Sequence, residues 1–369
     1  MRRRIIPFVG TVQLLLVLGH WFIFDTLGAA RVSLAPGASL ALRVSLAVLA
    51  FTFVPASLLA YRYSNALVRG FYRIAAVWLG LVTYIFLGAL ASWIGYGIAA
   101  AIGQAGARQE IAVACFGAGL MAGTYGVLNS MCIRVRHVTV KLPNLPAAWH
   151  GRMAAFVSDL HLGHVRGYHF AKRLASLLTG LRPDIVLVGG DMYDGTKVDA
   201  RRLAEPFRGI ATPLGTYFVA GNHEEFSDRR KYLDAIKSSG VRVLNNEKVI
   251  VDGLQIVGVH HHESVNTEQY RSILRKANID PNCASVLLTH APRHLPVAAE
   301  ESIGLQLSGH THAGQFFPFT WITKRIYGPF VYGLKRLGSL LIYTSCGVGT
   351  WGPPLRIGTS PEVVLIGFE

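Results

Sequence analysis

The stretch Met153-Ala154-Ala155-Phe156-Val157-Ser158-Asp159-Leu160-His161 governs the reading of the second half of the chain. Five apolar residues make a strand-length run, and two side chains able to bind a metal, Asp159 and His161, follow it directly. The pattern recurs. Gly189-Gly190-Asp191 follows the run Ile185–Val188, and Gly221-Asn222-His223-Glu224 follows Tyr217–Val219. His290 comes after Val286–Leu288, and Gly309-His310-Thr311-His312 after Leu305–Leu307. The carboxyl ends of strands are where α/β sheets gather ligands. The glycines at 189, 190, 221 and 309 allow tight turns and close backbone approach. A lone His or Asp in such a place is ordinarily a hydrogen-bonded loop residue. A set that follows five apolar strands in turn points to one shared site.

Around these motifs lie further strand-like runs, Leu254–Val259, Leu340–Tyr343 and Val363–Ile366. Helical stretches such as His169–Thr179, Arg229–Ser238 and Thr267–Ala277 separate several of them. Alternation of this kind predicts an α/β layered domain with helices covering sheets. No internal repeat or low-complexity tract interrupts it.

The first third of the chain is of another kind. Hydrophobic residues make up 51% of the 369 residues and charged ones 15%, well under the roughly 25% usual for a soluble domain. The excess lies in four apolar segments, about Ile5–Phe24, Val44–Ala60, Ile74–Ala101 and Ile111–Ile133. A span needs about 20 apolar residues, so a four-span helical bundle over 1–133 is expected, followed by the α/β domain over 134–369. The second segment is the weakest, with Arg43 at its edge and Pro55 inside it. A signal peptide is the alternative for the first, disfavoured by the length of the run and the three that follow. Gly119 and Gly123 form a GxxxG pair suited to close helix packing within the bundle. His20 and Gln13 are read as packed or interfacial, and no pair of buried charges suggests a channel or pump.

Charge sets the expected orientation. Arg2, Arg3 and Arg4 precede the first segment, Arg62, Arg69 and Arg73 lie between the second and third, and Arg134, Arg136 and Lys141 follow the fourth. This bias places both termini and the α/β domain in the cytoplasm, on a bacterial-type inner membrane. The net charge of +15 divides into +7 for residues 1–133 and +8 for the rest. The latter suits anionic headgroups or a phosphate-bearing substrate, although solvated Arg and Lys explain it equally well. No basic-aromatic motif argues for nucleic acid. Cys115, Cys132, Cys283 and Cys346 form no CxxC pair, which suggests neither a zinc knuckle nor a disulfide framework.

The ordered set DxH (Asp159, His161), GD (Gly190, Asp191), GNHE (Gly221 to Glu224), His290 and GHTH (Gly309 to His312) resembles the calcineurin-like metallophosphoesterases. The tail from Gly347 to Gly358 is similar to that of a bacterial membrane-attached subgroup. The resemblance implies a layered β-sandwich flanked by helices and a dimetal centre. Asp159, His161 and His312 would hold one metal, Asn222, His290 and His310 the other, and Asp191 would bridge them. His223 would sit beside the scissile phosphate. A bridging hydroxide would attack phosphorus, and His223 would stabilise charge or protonate the leaving oxygen, since an imidazole titrates in the physiological range. Mixed imidazole and carboxylate ligands suit Mn, Fe or Zn, with Mg a poorer match. Asp194 is read either as a residue that orients His223 or a metal ligand, or as a plain turn residue.

Membrane attachment favours a phosphomonoester or phosphodiester of a membrane lipid. Similar enzymes that cleave the pyrophosphate of UDP-2,3-diacylglucosamine make that a specific candidate. The rivals are a tethered nucleotide phosphodiesterase and a non-catalytic metal-binding adaptor; the retained His223 argues against the adaptor. Between Gln315 and Leu341 an apolar, basic insert carries Phe316, Phe317, Phe319, Trp321, Ile322, Lys324, Arg325 and Ile326. It reads as a lipid-facing lip or as a covering loop packed on its own domain. The run His260-His261-His262 is read as a solvated turn, and His164 and His169 have no assigned role.

Overall fold

The structure is a computed structural model that describes residues 2–32, 35–226 and 228–369, residues 2–5 by backbone alone. It divides into two compact units, Met1–Leu128 with Gly352–Leu355, and Asn129–Trp351 with Arg356–Glu369.

The first unit contains helices α1 (Arg2–Ala29), α2 (Pro36–Ala50), α3 (Phe53–Arg62), α4 (Ala66–Ala101) and α5 (Arg108–Asn129). Four stretches are long and apolar enough to cross a membrane: Ile6–Ala29, Pro36–Arg62, Ala66–Ala101 and Ala105–Asn129. The second starts eight residues before the expected Val44 and is broken into α2 and α3 at Phe51 and Thr52. Pro55 falls in the first turn of α3, where a backbone N–H has no partner to lose. Gly119 and Gly123 of α5 face Tyr84 and Leu81 of α4 so closely that a Cβ on Gly119 would collide with the Tyr84 carbonyl. The GxxxG pair therefore serves packing within this chain. The Trp78 indole N–H donates to His20 Nε2 at 2.9 Å and Gln13 donates to the Ala50 carbonyl at 2.9 Å, so these two side chains of α1 are engaged in packing.

The second unit holds β1 (Arg134–Val140), β2 (Met153–Val157), α6 (Tyr168–Leu181), β3 (Ile185–Val188), α7 (Ala200–Ala204), β4 (Thr216–Phe218), α8 (Arg229–Ser238) and β5 (Arg242–Val243). The chain continues with β6 (Glu247–Val251), β7 (Leu254–Val259), α9 (His261–Ser264), α10 (Thr267–Lys276), β8 (Ser285–Thr289), α11 (Leu295–Glu300) and β9 (Leu305–Ser308). Last come α12 (Phe319–Tyr327), β10 (Gly333–Leu337), β11 (Leu340–Thr344) and β12 (Glu362–Phe368). Two six-stranded sheets result, in the orders β1-β12-β2-β3-β4-β5 and β10-β11-β9-β8-β7-β6.

Side-chain alternation along each strand builds the layers. Ala154 and Phe156 of β2 and Leu187 of β3 turn inward and meet Ile256, Val286, Leu288 and Leu307 of the other sheet in one buried core. Ala155, Val157, Val186 and Val188 turn outward under α6, α7 and α8. On the far side, Val257, Leu287 and Ile342 pack under Tyr270, Leu274 and Leu295 of α10 and α11. The order helix, sheet, sheet, helix is the expected sandwich. Strands β2, β3 and β4 are parallel, as are β7, β8 and β9, so the carboxyl ends within each set lie on one rim.

Candidate metal centre

Every ligand candidate follows one of these strand ends, and the backbone there is unusual. Asp159, His161, Asp191, His310 and His312 all have positive φ, between 48° and 68°. For residues with a Cβ this left-handed region carries strain of about 1–3 kcal/mol each and is retained where surrounding bonds hold it. Those bonds are present. Asp159 N–H donates to the Gly190 carbonyl and His161 N–H to the Asp191 carbonyl, each at 3.0 Å, tying the first two motifs together. His310 N–H donates to the Asp159 carboxylate at 3.0 Å, which joins the two sheets. Gly190, with φ 90°, has no room for a side chain against Gly221 and the His290 ring.

The donor atoms converge in two groups. In the first, His161 Nε2 lies 3.0 Å from His312 Nε2, and His312 Nε2 lies 3.5 Å from Asp159 Oδ1. In the second, Asn222 Oδ1 lies 3.0 Å from His310 Nδ1 and 3.2 Å from His290 Nε2. Asp191 Oδ2 stands between them, 3.1 Å from His290 Nε2 and 3.9 Å from His161 Nε2. Ligands bonded to one ion at about 2.0–2.2 Å lie roughly 3–3.5 Å from one another, which the short contacts within each group match. His290 Nδ1–H donates to the Gly189 carbonyl at 2.8 Å, leaving Nε2 as the ligand atom, in the way a ligating histidine is oriented by its other nitrogen.

The electrostatics fit a cation. Burial, together with neighbouring imidazoles and Arg356, holds His161 and His312 well below the ordinary imidazole value, and burial with His290 and His261 does the same to His310. These rings are therefore in the neutral form that binds metal. Burial opposes charge on His290 as well, yet the Asp191 and Asp159 carboxylates raise it to about 10, so the proton fills a place where the carboxylates call for positive charge. Burial also works against ionisation of Asp191, but His290, His223 and His161 keep its carboxyl well below the usual range. Burial, reinforced by Asp191, lifts Asp159 to about 6.

His223 is 5% exposed, and its Nε2 is 4.0 Å from Asp191 Oδ2. Its Nδ1–H donates to the carbonyl of Asp194 at 2.9 Å. The orienting group is thus the backbone of Asp194. The Asp194 carboxylate accepts from the hydroxyl of Thr196 at 2.6 Å. The fold brings all seven ligand candidates and His223 close to one another.

Glu224 and Arg356 gained importance only in three dimensions. Glu224 is fully buried and accepts from the backbone N–H groups of Asp191, Tyr193 and Gly221 at 3.0, 3.1 and 2.8 Å. Burial, then the nearby Asp191, raises it to about 7. Arg356, in the quoted tail, is also fully buried and donates to the carbonyls of His312 and Gly349 at 3.2 and 2.6 Å. The His run corrects an expectation. His260 is fully buried and His261 is 8% exposed, because α9 begins there and packs against the site; His262 alone faces solvent. His164 is buried on Thr196, and His169 is exposed.

The insert is divided: Gln315 and Phe316 are buried and Phe330 packs on the core under α10 and α11, whereas α12 stands out from it. No residue of α12 is buried, and Phe319, Trp321, Ile322 and Ile326 are 47%, 67%, 52% and 68% exposed. Its last residue, Tyr327, has its ring 6.3 Å from that of His310.

Comparison with known proteins agrees with this architecture. The family profile for calcineurin-like phosphoesterases matches residues 154–314. A metallophosphoesterase of Aquifex aeolicus is 31% identical over 255 residues, covering 67% of this chain and 96% of that protein. The chain belongs to the calcineurin-like phosphoesterase family. A Campylobacter jejuni family member is 31% identical, with 64% of this chain and 63% of that one covered. A zebrafish transmembrane protein with a metallophosphoesterase domain is 30% identical over 66% of this chain and 59% of its own. The chain thus spans less than two thirds of these two relatives. Members of this family are phosphoric ester hydrolases that use divalent metals, and four helices of this chain are long and apolar enough to cross a membrane.

Proposed function

We propose that the chain hydrolyses phosphate mono- or diesters carried by a membrane lipid. The observation that carries this reading is the convergence of Asp159, His161, Asp191, Asn222, His290, His310 and His312 beside an exposed aromatic helix, α12. Asp159, His161 and His312 would hold one divalent cation and Asn222, His290 and His310 the other, with Asp191 shared. Mn, Fe or Zn match these N and O donors. When bound, the two cations supply Lewis-acid polarisation of the phosphoryl group and of the attacking water.

The chain's own contribution is positioning and proton transfer. Water's oxygen adds to phosphorus, one of its protons passes to solvent, and the bond to the leaving oxygen breaks. His223, with Nδ1–H held on the Asp194 carbonyl, presents Nε2 to the site and in its protonated form donates to that leaving oxygen. Asp191 accepts the His223 backbone N–H at 2.8 Å, so ligand and proton donor are held in one frame.

The lipid reading is supported by the four spans, by the short connector of residues 130–133 between α5 and β1, and by α12 with Lys324 and Arg325 among its apolar side chains. The arginine bias supports a cytoplasmic position for the domain, on what we read as a bacterial-type plasma membrane. Hydrolysis of bis(p-nitrophenyl) phosphate, p-nitrophenyl phosphate and lipid phosphates in mixed micelles, with His223→Ala and Asp191→Ala as controls, tests it. Metal-dependent turnover that favours the lipid is expected. Equal turnover of soluble nucleotides and lipids would support the tethered nucleotide phosphodiesterase instead.

A further inference from the structure

We propose that His261 is an additional ligand of the second metal position, alongside Asn222, His290, His310 and the shared Asp191. The inference rests on the two-metal reading above and extends the ligand set that the sequence motifs specify.

His261 opens α9 at the carboxyl end of β7, on the same rim as the other ligands. Its side chain is drawn into the site by its neighbours. His261 N–H donates to the Ala220 carbonyl at 2.9 Å, and Ala220 N–H donates to His260 Nδ1 at 2.8 Å. Ala220 lies two residues before Asn222, so the His260–His261 backbone is bound to the loop that delivers a metal ligand. The His261 ring centroid lies 5.3 Å from that of His310 and 5.5 Å from that of His290. One donor atom from each of the three rings lies within 4.8 Å of the others.

The hydrogen bonding leaves this ring without an ordinary role. His261 is 8% exposed, and its Nδ1 is buried with no hydrogen-bond partner among the described residues. Buried polar atoms are rarely left in that state without a reason. Both nitrogens of His290 are engaged elsewhere, Nδ1–H on the Gly189 carbonyl at 2.8 Å and Nε2 beside Asp191 Oδ2 at 3.1 Å. Three imidazoles facing one another, with an amide oxygen and a carboxylate at hand, make a first-row transition-metal site.

The consequence is asymmetry. The first position has two imidazoles (His161 and His312), and the second would have three. By ligand preference the second should hold Zn or Fe more firmly than Mn or Mg.

The test uses the full chain in detergent, stripped of metal and titrated with Co(II) while uptake and absorption are followed. Wild type is expected to bind two ions. His261→Ala should weaken one of them at least about tenfold, the loss typical when a metal's supporting residues are removed. His261→Cys should gain a near-ultraviolet thiolate-to-cobalt charge-transfer band that wild type lacks, a readout independent of catalysis and of the Ala variant's folding. A Cys variant that binds two cobalt ions without the band would overturn the proposal, as would an Ala variant with both wild-type affinities. Wild type that takes up a single ion would refute the two-metal reading, and the Cys band would still report whether residue 261 reaches that ion.

Discussion

His223 and Asp194 are joined through side chain and backbone: the ring's Nδ1 lies 2.9 Å from the Asp194 carbonyl oxygen. A carbonyl can only accept, so the proton sits on Nδ1 and Nε2 is left for the substrate. Replacing His223 with Ala should therefore lower kcat by about 10²–10⁴-fold, the range for loss of a general acid, while both metals remain bound. Steady-state kinetics beside metal analysis checks this. Loss of metal together with rate would show that His223 is part of the metal site.

Glu224 spans three backbone donors of the Asp191 and Asn222 loops. Glu224→Gln keeps the shape but turns an N–H toward an N–H. It should destabilise the fold by about 1–3 kcal/mol, the cost of a buried donor left unmatched. Thermal unfolding of the metal-free protein measures this, and an unchanged Tm would refute it.

Arg356 holds the carbonyls of His312 and Gly349 with a planar, multi-donor head. Lysine offers a point charge that cannot span them. Arg356→Lys is expected to cost at least about 2 kcal/mol and to weaken the metal position that includes His312. Isothermal titration with Mn(II) and a melting curve would register both effects. Full retention of affinity would remove Arg356 from the support of the site.

Cys346 is buried, and burial, then the nearby Glu362, pushes its thiol up to about 12. A raised thiol pKa means less thiolate at any lower pH, and the thiolate is the reactive form. Native Cys346 should stay unlabelled by iodoacetamide from pH 7 to 9 and react only after denaturation. Peptide mapping reads this directly. Labelling of the folded protein at pH 8 would contradict it.

Ile322 and Ile326 sit one turn apart on the exposed face of α12. Burying such a side chain in an apolar phase contributes about 1.5–3 kcal/mol. If α12 inserts into the interface, Ile322→Ala with Ile326→Ala should raise KM for micellar lipid phosphates at least about tenfold. Turnover of p-nitrophenyl phosphate should stay near wild type. Parallel losses on both substrates would mean that α12 supports the site structurally.

The eight site residues were legible in the sequence because residue type and position after an apolar run are local properties, and parallel strands carry such ends to one rim. The four spans were legible because the length of an apolar run is local too. Three adjacent histidines had no such rule. His260 and His261 are buried and His262 is exposed, a division set by how α9 docks on Ala220. Glu224 meets Asp191 and Tyr193, and Arg356 meets His312, across more than 30 residues of chain, so composition could not reveal these pairs. The placement of β12 between β1 and β2 and the exposure of α12 likewise depend on which surfaces meet once the chain has folded. The chemistry at each position is written in the sequence. Which polar groups lose water, and which of them face one another, is decided by packing between distant parts of the chain.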